Sequence, residues 1–465
     1  MTSLVSYQNF LDKRGLLYHN YQWEGLEWCL RNELSETMCG GIIADEMGLG
    51  KTLLMISTIS FHLMRRTLIV VPPVLMNQWQ HQIFMLTGHK PLVYHGLLKK
   101  KILFENLIHA PIVITSYHCI SVSPKDPVAG LLHKVQWNRV IFDEAHHMRN
   151  NKTGVFLGAY NLRSKIRWFL SGTPLQNKFK DISNLLLLLG HKGSMNVAKL
   201  GKLLEGKMMR RTKSSVGLRM PDLLEEKILV DWSSCHAKDV ATAEDIHSSL
   251  SFSGVSISKQ QSLGRFLKDG KRHLVAILRA KQVCAYPRLV YDYLEKRERT
   301  NKYQIYNGDQ KLKMIVNKIA EKLNNGNGKI VFCQFRGEID YLKEKLTNLG
   351  ASVGVMDGRG KDTLENKYLI LLLQIQSCCE GLNLQKDYSE IYFSTNQWNP
   401  TLEEQAIGRC YRLGQEKPVY VFKFLMDKFQ PEQEGSEVRP LALENYIGNV
   451  QDKKKALVEE FLIVK

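Results

Sequence analysis

Residues 44–54 read ADEMGLGKTLL, a glycine-rich turn that ends in a lysine and a threonine. Gly48 and Gly50 allow backbone N–H groups to turn toward an anion at a helix N-terminus. Lys51 can reach the outer phosphates of that anion, and Thr52 can bring a hydroxyl to Mg²⁺. Asp45, Glu46, Met47 and Leu49 complete the loop, with Asp45 standing where such loops usually begin with glycine. A second stretch, RVIFDEAHHMRN at 139–150, closes an apolar run with Asp143 and Glu144. Asp143 suits Mg²⁺ binding, and Glu144 suits orienting and deprotonating an attacking water. His146 and His147 follow, but no third ligand stands at metal spacing. A third stretch, QAIGRCYRLGQEKP at 405–418, carries Arg409 and Arg412 three positions apart. On a helix those two would share a face, and their planar forks match phosphate oxygens. The loop and the carboxylate pair, in this order, point to a nucleoside triphosphatase.

These residues need rigid elements behind them. GGIIAD, TLIVVPP, PIVITSY, RVIFDEAH and RWFLSGT read as buried strands separated by helical sequence, which is the pattern of a parallel sheet with helices on both faces. A second set, KIVFCQF, ASVGVMDG, YLILLLQIQS, EIYFSTN and VYVFKFL, begins near residue 329. Between the sets, at about 235–300, no strand pattern occurs and the sequence turns helical. The expected fold is therefore α/β: two tandem parallel-sheet lobes with a mainly helical connector. The expected divisions are 1–215, 216–300, 301–450 and a terminal helix at 451–465 that could brace the lobes or dock a partner.

A chain of 465 residues exceeds what one hydrophobic core holds. Its 64 Lys and Arg against 46 Asp and Glu leave a net charge of +18, a surplus that usually faces a polyanion. The nine cysteines form no CxxC pair and are expected to be reduced thiols in an intracellular protein. No signal-peptide pattern opens the sequence, and no apolar run is long enough for a membrane span.

The set DEMGLGKT, DEAH, SGTPLQN (171–177) and QAIGRCYRLGQ resembles the Swi/Snf-type ATPases of helicase superfamily two. LLYHNYQWEGLEW (16–28), LIVVPPVLMNQWQHQ (68–82), LVYHG (92–96), VITSYH (113–118), MMRRTK (208–213), VCAYPRLV (283–290), KIVFCQF (329–335) and MDGRGK (356–361) extend the resemblance over nearly the whole chain. The resemblance implies two RecA-like lobes with ATP in the cleft between them, with Mg²⁺ as cofactor. It implies Gln22 as the adenine reader and Arg409 and Arg412 as arginine fingers, with Gln405 nearby. Ser171, Gly172 and Thr173 would couple the phosphate state to movement. MGLGKT and the closing RLGQ resemble the branch that translocates on double-stranded DNA without separating strands. The segment before EGLNL is SCCE (377–380), where the family carries small residues and glycine.

Gripping a nucleic-acid backbone takes basic side chains, hydroxyls and backbone N–H groups. The candidates are Ser116, Lys99 to Lys101, Arg210, Arg211, Lys213, Arg336, Arg359 and Lys361. Trp79 and Trp398 could stack on bases, but they sit in apolar contexts that favour core positions. The expected activity is an ATP-dependent double-stranded DNA translocase that remodels protein–DNA complexes, working with protein partners and no membrane. A strand-separating DNA or RNA helicase and an inactive nucleic-acid-binding scaffold remain as alternatives. The expected location is the nucleus of a eukaryotic cell, or the factory or virion of a virus.

Overall fold

The computed structural model describes residues 3–35, 39–123, 125–126, 130–172, 180–191, 197–248, 250, 271–299, 308–359, 366–378, 382–429 and 442–462. The chain divides into two units: Met1–Arg219 with Val458–Lys465, and Met220–Leu457.

The first unit is built on strands β1 (Gly40–Ile43), β2 (Thr67–Val71), β3 (Leu92–Tyr94), β4 (Ile112–Ser116), β5 (Trp137–Asp143), β6 (Ser164–Leu170) and β7 (Met208–Met209). They form one sheet in the order β3-β4-β2-β5-β6-β1-β7, with every pair parallel. β2 and β4 are buried along their whole length, because helices cover both faces of such a sheet. Near the starts of its strands lies a buried ion pair. Arg139 Nε donates to Glu33 Oε1 at 2.6 Å, and Trp168 Nε1 donates to the same oxygen at 2.8 Å. His62 Nδ1 lies 2.6 Å from Glu33 Oε2.

The second unit is built on β8 (Leu223–Val230), β9 (Gly328–Cys333), β10 (Val353–Met356), β11 (Ile370–Gln374), β12 (Tyr388–Phe393) and β13 (Val419–Met426). These form a second all-parallel sheet in the order β10-β11-β9-β12-β13-β8. The fold is thus α/β, with two tandem RecA-like parallel-sheet lobes.

All ten strands expected from apolar runs are present. Three others, β3, β7 and β8, gave no such run. β8 lies within the stretch expected as connector yet pairs with β13 along its whole length. Its sequence, LLEEKILV, escapes an apolar criterion because an edge strand leaves side chains in water. The rest of that stretch is helical in its described parts, at Ala237–Ser248, Lys271–Ala285 and Arg288–Glu298. The terminal helix begins at Leu443, not at 451, and its first turn is buried in the second unit through Leu443, Glu444 and Ile447.

Candidate active site

The register of the first sheet brings the motifs to one level. Ile43 of β1 pairs with Leu170 of β6, and Leu170 pairs with Asp143 of β5. The loop after β1, Ser171 and Gly172 after β6, and Asp143 and Glu144 therefore leave the sheet side by side at its C-terminal edge. Parallel α/β sheets bind ligands at this edge.

Gly48 and Gly50 take left-handed φ of 90° and 82°, which L side chains adopt only at a cost. A Cβ on Gly50 would also stand 3.2 Å from Gln22 Nε2. The turn feeds the helix Lys51–Phe61. Lys51 Nζ donates to the carbonyl of Asp45 at 2.7 Å and to that of Glu46 at 3.3 Å, folding back over its own loop. A Cβ on Gly172 would meet Met47 Cγ at 2.9 Å and come within 3.5 Å of Lys51 Nζ. Thr52, Met47 and Gly48 are partly exposed, whereas Leu49 is core. Gln22 is buried with its Oε1 lacking a hydrogen-bond partner, so an amide acceptor stands ready beside the loop. An open glycine cradle, a lysine on carbonyls and an unsatisfied amide oxygen fit a nucleotide phosphate tail and its base.

Asp45 carries a different load. Its carboxylate is buried and receives Arg211 Nε at 3.1 and 3.2 Å, while Arg211 Nη2 bonds Oδ2. Arg211 also donates to the Tyr21 carbonyl and lies 5.2 Å over the Tyr21 ring. A Cβ on Gly25 would meet Arg211 Nη1 at 2.9 Å, so a side chain there would push on the guanidinium of this clamp. Lys213 repeats the pattern, its backbone N–H donating to Glu46 Oε2 at 2.7 Å and its Nζ pairing with Oε1 at 2.9 Å. Arg211 and Lys213, expected on nucleic acid, instead clamp the phosphate loop. Asp45, expected at the nucleotide, spends its side chain on that clamp.

Asp143 is held from three directions. Trp79 Nε1 donates to Oδ2 at 2.8 Å, Glu144 N donates to Oδ1 at 3.0 Å, and Tyr117 Oη donates to the backbone carbonyl at 2.6 Å. Burial and, next, the charge of Glu144 push the Asp143 carboxyl up to about 6, against the pull of the Trp79 N–H and Lys51. A neighbouring cation would reverse that cost, so the pair fits Mg²⁺ with Thr52 close by in sequence to the loop. Glu144 itself has a left-handed φ of 53°, a strained backbone for a non-glycine residue. His146 Nδ1 lies 3.2 Å from Glu144 Oε2, and the His146 and His147 rings stack at 4.8 Å. Trp79 is fully buried, as its apolar context implied, but the sequence held no sign of its polar bond. Trp398 packs edge-on against Tyr446 at 6.1 Å.

In the second unit the helix Pro400–Ile407 ends before the arginines. Arg409 and Arg412 lie in the following turn rather than on a shared helical face, because Gln415 draws the turn down. Gln415 Nε2 donates to the carbonyls of Tyr388 at 3.1 Å and Cys410 at 3.2 Å. Arg412 Nη1 bonds Asn383 Oδ1, and Arg412 Nε has no partner. Burial and the adjacent Arg409 charge push the Arg412 guanidinium down to about 10, a cost that an anion would relieve. Gln405 is fully buried with neither side-chain atom hydrogen-bonded.

The other expected contacts fall into groups. Ser116 is buried and shares a 3.0 Å hydrogen bond with His95 Nδ1, so it presents no hydroxyl to a backbone. Arg359 is paired with Asp340 and Asp357. Lys100, Lys101, Arg210 and Arg336 are exposed, and Lys99 is half-buried. Ser171 is buried at the end of β6, its N–H donating to the Ile43 carbonyl at 3.1 Å. Thr173 and Lys361 lie outside the described residues.

Comparison with known proteins gives this geometry a family. An SNF2-related domain matches residues 21–194, and a helicase conserved C-terminal domain matches residues 310–414. A probable global transactivator of Orgyia pseudotsugata multicapsid polyhedrosis virus is 27% identical, over 97% of this chain and 92% of its own length. An uncharacterized ATP-dependent helicase of Mycoplasma pneumoniae is 26% identical over 96% of this chain and 42% of its own length. ATP-dependent helicase brm of Drosophila melanogaster is 26% identical over 93% of this chain and 29% of its own. The chain thus spans nearly all of the viral relative but under half of the other two. A solved structure described as Sulfolobus solfataricus SWI2/SNF2 ATPase core in complex with dsDNA aligns at 22% identity and TM-score 0.40, over 96% of this chain and 92% of that one. With the loop, the carboxylate pair and both domain matches in place, the chain belongs to the SNF2-related, helicase-like ATPases.

Proposed function

We propose that this chain spends ATP, with Mg²⁺, to move along double-stranded DNA and remodel protein–DNA complexes. The observation that carries the reading is the shared register of Ile43, Leu170 and Asp143, which sets phosphate loop and carboxylates at one edge. In the working cycle Lys51 leaves the Asp45 and Glu46 carbonyls for the outer phosphates, and the loop N–H groups hold the remainder. Asp143 and Thr52 would hold the Mg²⁺, which would supply charge neutralisation on the phosphate oxygens. Glu144 orients the attacking water and takes its proton. Arg409 and Arg412 would neutralise charge growing on the transferred phosphoryl, and the buried Arg412 Nε, which has no partner, is ready for an anion. Gln22 reads the base, while Ser171, Gly172, Thr173 and Gln405 relay the phosphate state.

A net charge of +18 supports sequence-independent, salt-sensitive DNA binding. Exposed Lys100, Lys101, Arg210 and Arg336 are its best-placed cations, and Lys99, Arg359 and Lys361 complete the candidates. Protein partners that choose the cargo, and a nuclear or viral-factory setting, belong to the same reading. Among the described residues no helix is long and apolar enough to cross a membrane.

The test is ATP turnover at moderate salt, alone and with duplex DNA, single-stranded DNA or RNA, with Lys51→Ala as control. Duplex DNA should stimulate most and the variant should be silent. Preference for RNA or a single strand would replace the reading with a strand-separating helicase. No turnover under any condition would leave a nucleic-acid-binding scaffold.

A further inference from the structure

We propose that Trp79 is a positioning residue for the cation site: its indole N–H aims the Asp143 carboxylate. The inference rests on the ATPase reading of that site and adds a residue to it. Trp79 lies on the helix Met76–Thr87 that follows β2, well away in sequence from the carboxylate turn. Its ring is fully buried, so surrounding core side chains fix its rotamer. From that fixed position Nε1 donates to Asp143 Oδ2 at 2.8 Å.

An indole N–H only donates, so it favours an ionised carboxylate, the form a cation needs. A short carboxylate otherwise turns about two torsions. Here Oδ2 is pinned by the indole and Oδ1 by the Glu144 N–H at 3.0 Å, while Tyr117 holds the backbone carbonyl at 2.6 Å. Each carboxylate oxygen keeps a further lone pair for a metal. Partners behind a ligating group set its orientation and typically change metal affinity 10- to 100-fold when removed. A large aromatic that served packing alone would need no aligned N–H. The bond also ties the segment 68–82 to the carboxylate turn, so displacement of that helix reaches Asp143 directly.

The experiment measures Mn²⁺ binding by electron paramagnetic resonance in the presence of ADP, together with the Mg²⁺ dependence of turnover. The full chain is compared with Trp79→Phe and with a chain carrying 3-benzothienylalanine at 79, which keeps the bicyclic shape and lacks the N–H. Both changes should weaken Mn²⁺ by about 10- to 100-fold and raise the Mg²⁺ requirement in proportion. The KM for ATP at saturating cation should stay near that of the parent chain. If the benzothienyl chain binds Mn²⁺ within twofold of the parent, Trp79 acts through packing and the proposal falls, even if Trp79→Phe is impaired. If the parent chain itself retains no Mn²⁺ with ADP, the ATPase reading of the site falls, and this inference with it.

Discussion

The two units share one architecture and use the same edge of it in opposite ways. At the C-terminal edge of the first sheet, Lys51, Thr52 and Met47 stay partly exposed beside an open glycine turn. At the same edge of the second sheet, the first turns of the chain's own helix Leu443–Leu462 are docked. Glu444 accepts from Lys311 Nζ at 2.7 Å and from the Met426 N–H at 2.6 Å, and its carbonyl receives Asn396 Nδ2 at 2.8 Å. Two turns farther, Gln451 Nε2 donates to Glu403 Oε1 at 2.8 Å, and Glu403 also accepts from the Gln397 N–H at 2.7 Å. Strand ends at this edge always offer polar groups that need partners. The first unit leaves them for a ligand and braces them from behind. The second spends Glu444 and Gln451 of that helix on groups at its own edge, and its arginines lie in a turn beside the sheet. One fold therefore yields a binding edge or a closed one, according to whether a helix of the chain covers it.

The sharpest break in this comparison should come from Arg412→Ala. As an arginine finger it is worth about 10³- to 10⁵-fold in turnover, and nucleotide binding should persist. Turnover and fluorescent-ADP affinity measured side by side check both halves, and an unchanged rate would remove the finger role. The converse variant is Lys311→Met in the closed edge. It strands a buried Glu444 carboxylate and should cost about 3–5 kcal/mol, lost from the second unit alone. Hydrogen exchange resolved by peptide should rise there while the peptides of β1, β5 and β6 keep their protection.

A smaller effect is expected from Tyr117→Phe, which removes the donor to the Asp143 carbonyl. The lost bond is worth about 1 kcal/mol, so turnover should fall by less than about tenfold with the thermal midpoint nearly unmoved. A drop in DNA-stimulated turnover with intrinsic turnover intact would sharpen the comparison by tying β4 to the catalytic edge.

The least effect lies in pH, where the sign should differ from one buried group to the next. Burial alone would raise the Glu33 carboxyl, but hydrogen bonds from His62 and Arg139 outweigh it and hold it below its ordinary value. Its contribution is present above the ordinary carboxylate range and is lost as pH falls through the lowered value. Burial raises Glu444 despite Lys311, so its contribution weakens as pH climbs from the ordinary range through the raised value. Burial also pushes Lys281 down to about 8, so stability in the second unit should rise as pH passes from there toward 10.5. Exchange rates from pH 4 to 9, resolved by peptide around Glu33, Glu444 and Lys281, would test these signs; a trend opposite to the one stated at any of the three would contradict it.

Legibility followed the range over which each signal acts. The ten core strands announced themselves because burial on both faces demands unbroken apolar runs, as in TLIVV and ILLLQ. GLGKT and DEAH stood out because each motif is a run of a few neighbouring residues, complete within one short window of sequence. Edge strand β8 was not, since water tolerates its Glu225, Glu226 and Lys227. Neither was the end of the helix at Ile407, which depends on Gln415 reaching back to Tyr388 and Cys410.

The fold class and the order of the motifs were already set by the amino-acid sequence. The tertiary structure alone decided which charges are spent inside the protein. Arg211 and Lys213 look like DNA-binding residues in a basic string, and only folding brings Asp45 and Glu46 close enough to claim them. Trp79 reads as core in any window of sequence, and only the parallel packing of β2 against β5 sets its N–H on Asp143. The reason is physical. Apolar burial is a property of each residue and its near neighbours, whereas a hydrogen bond or ion pair needs a partner within about 3–4 Å that chain separation does not reveal.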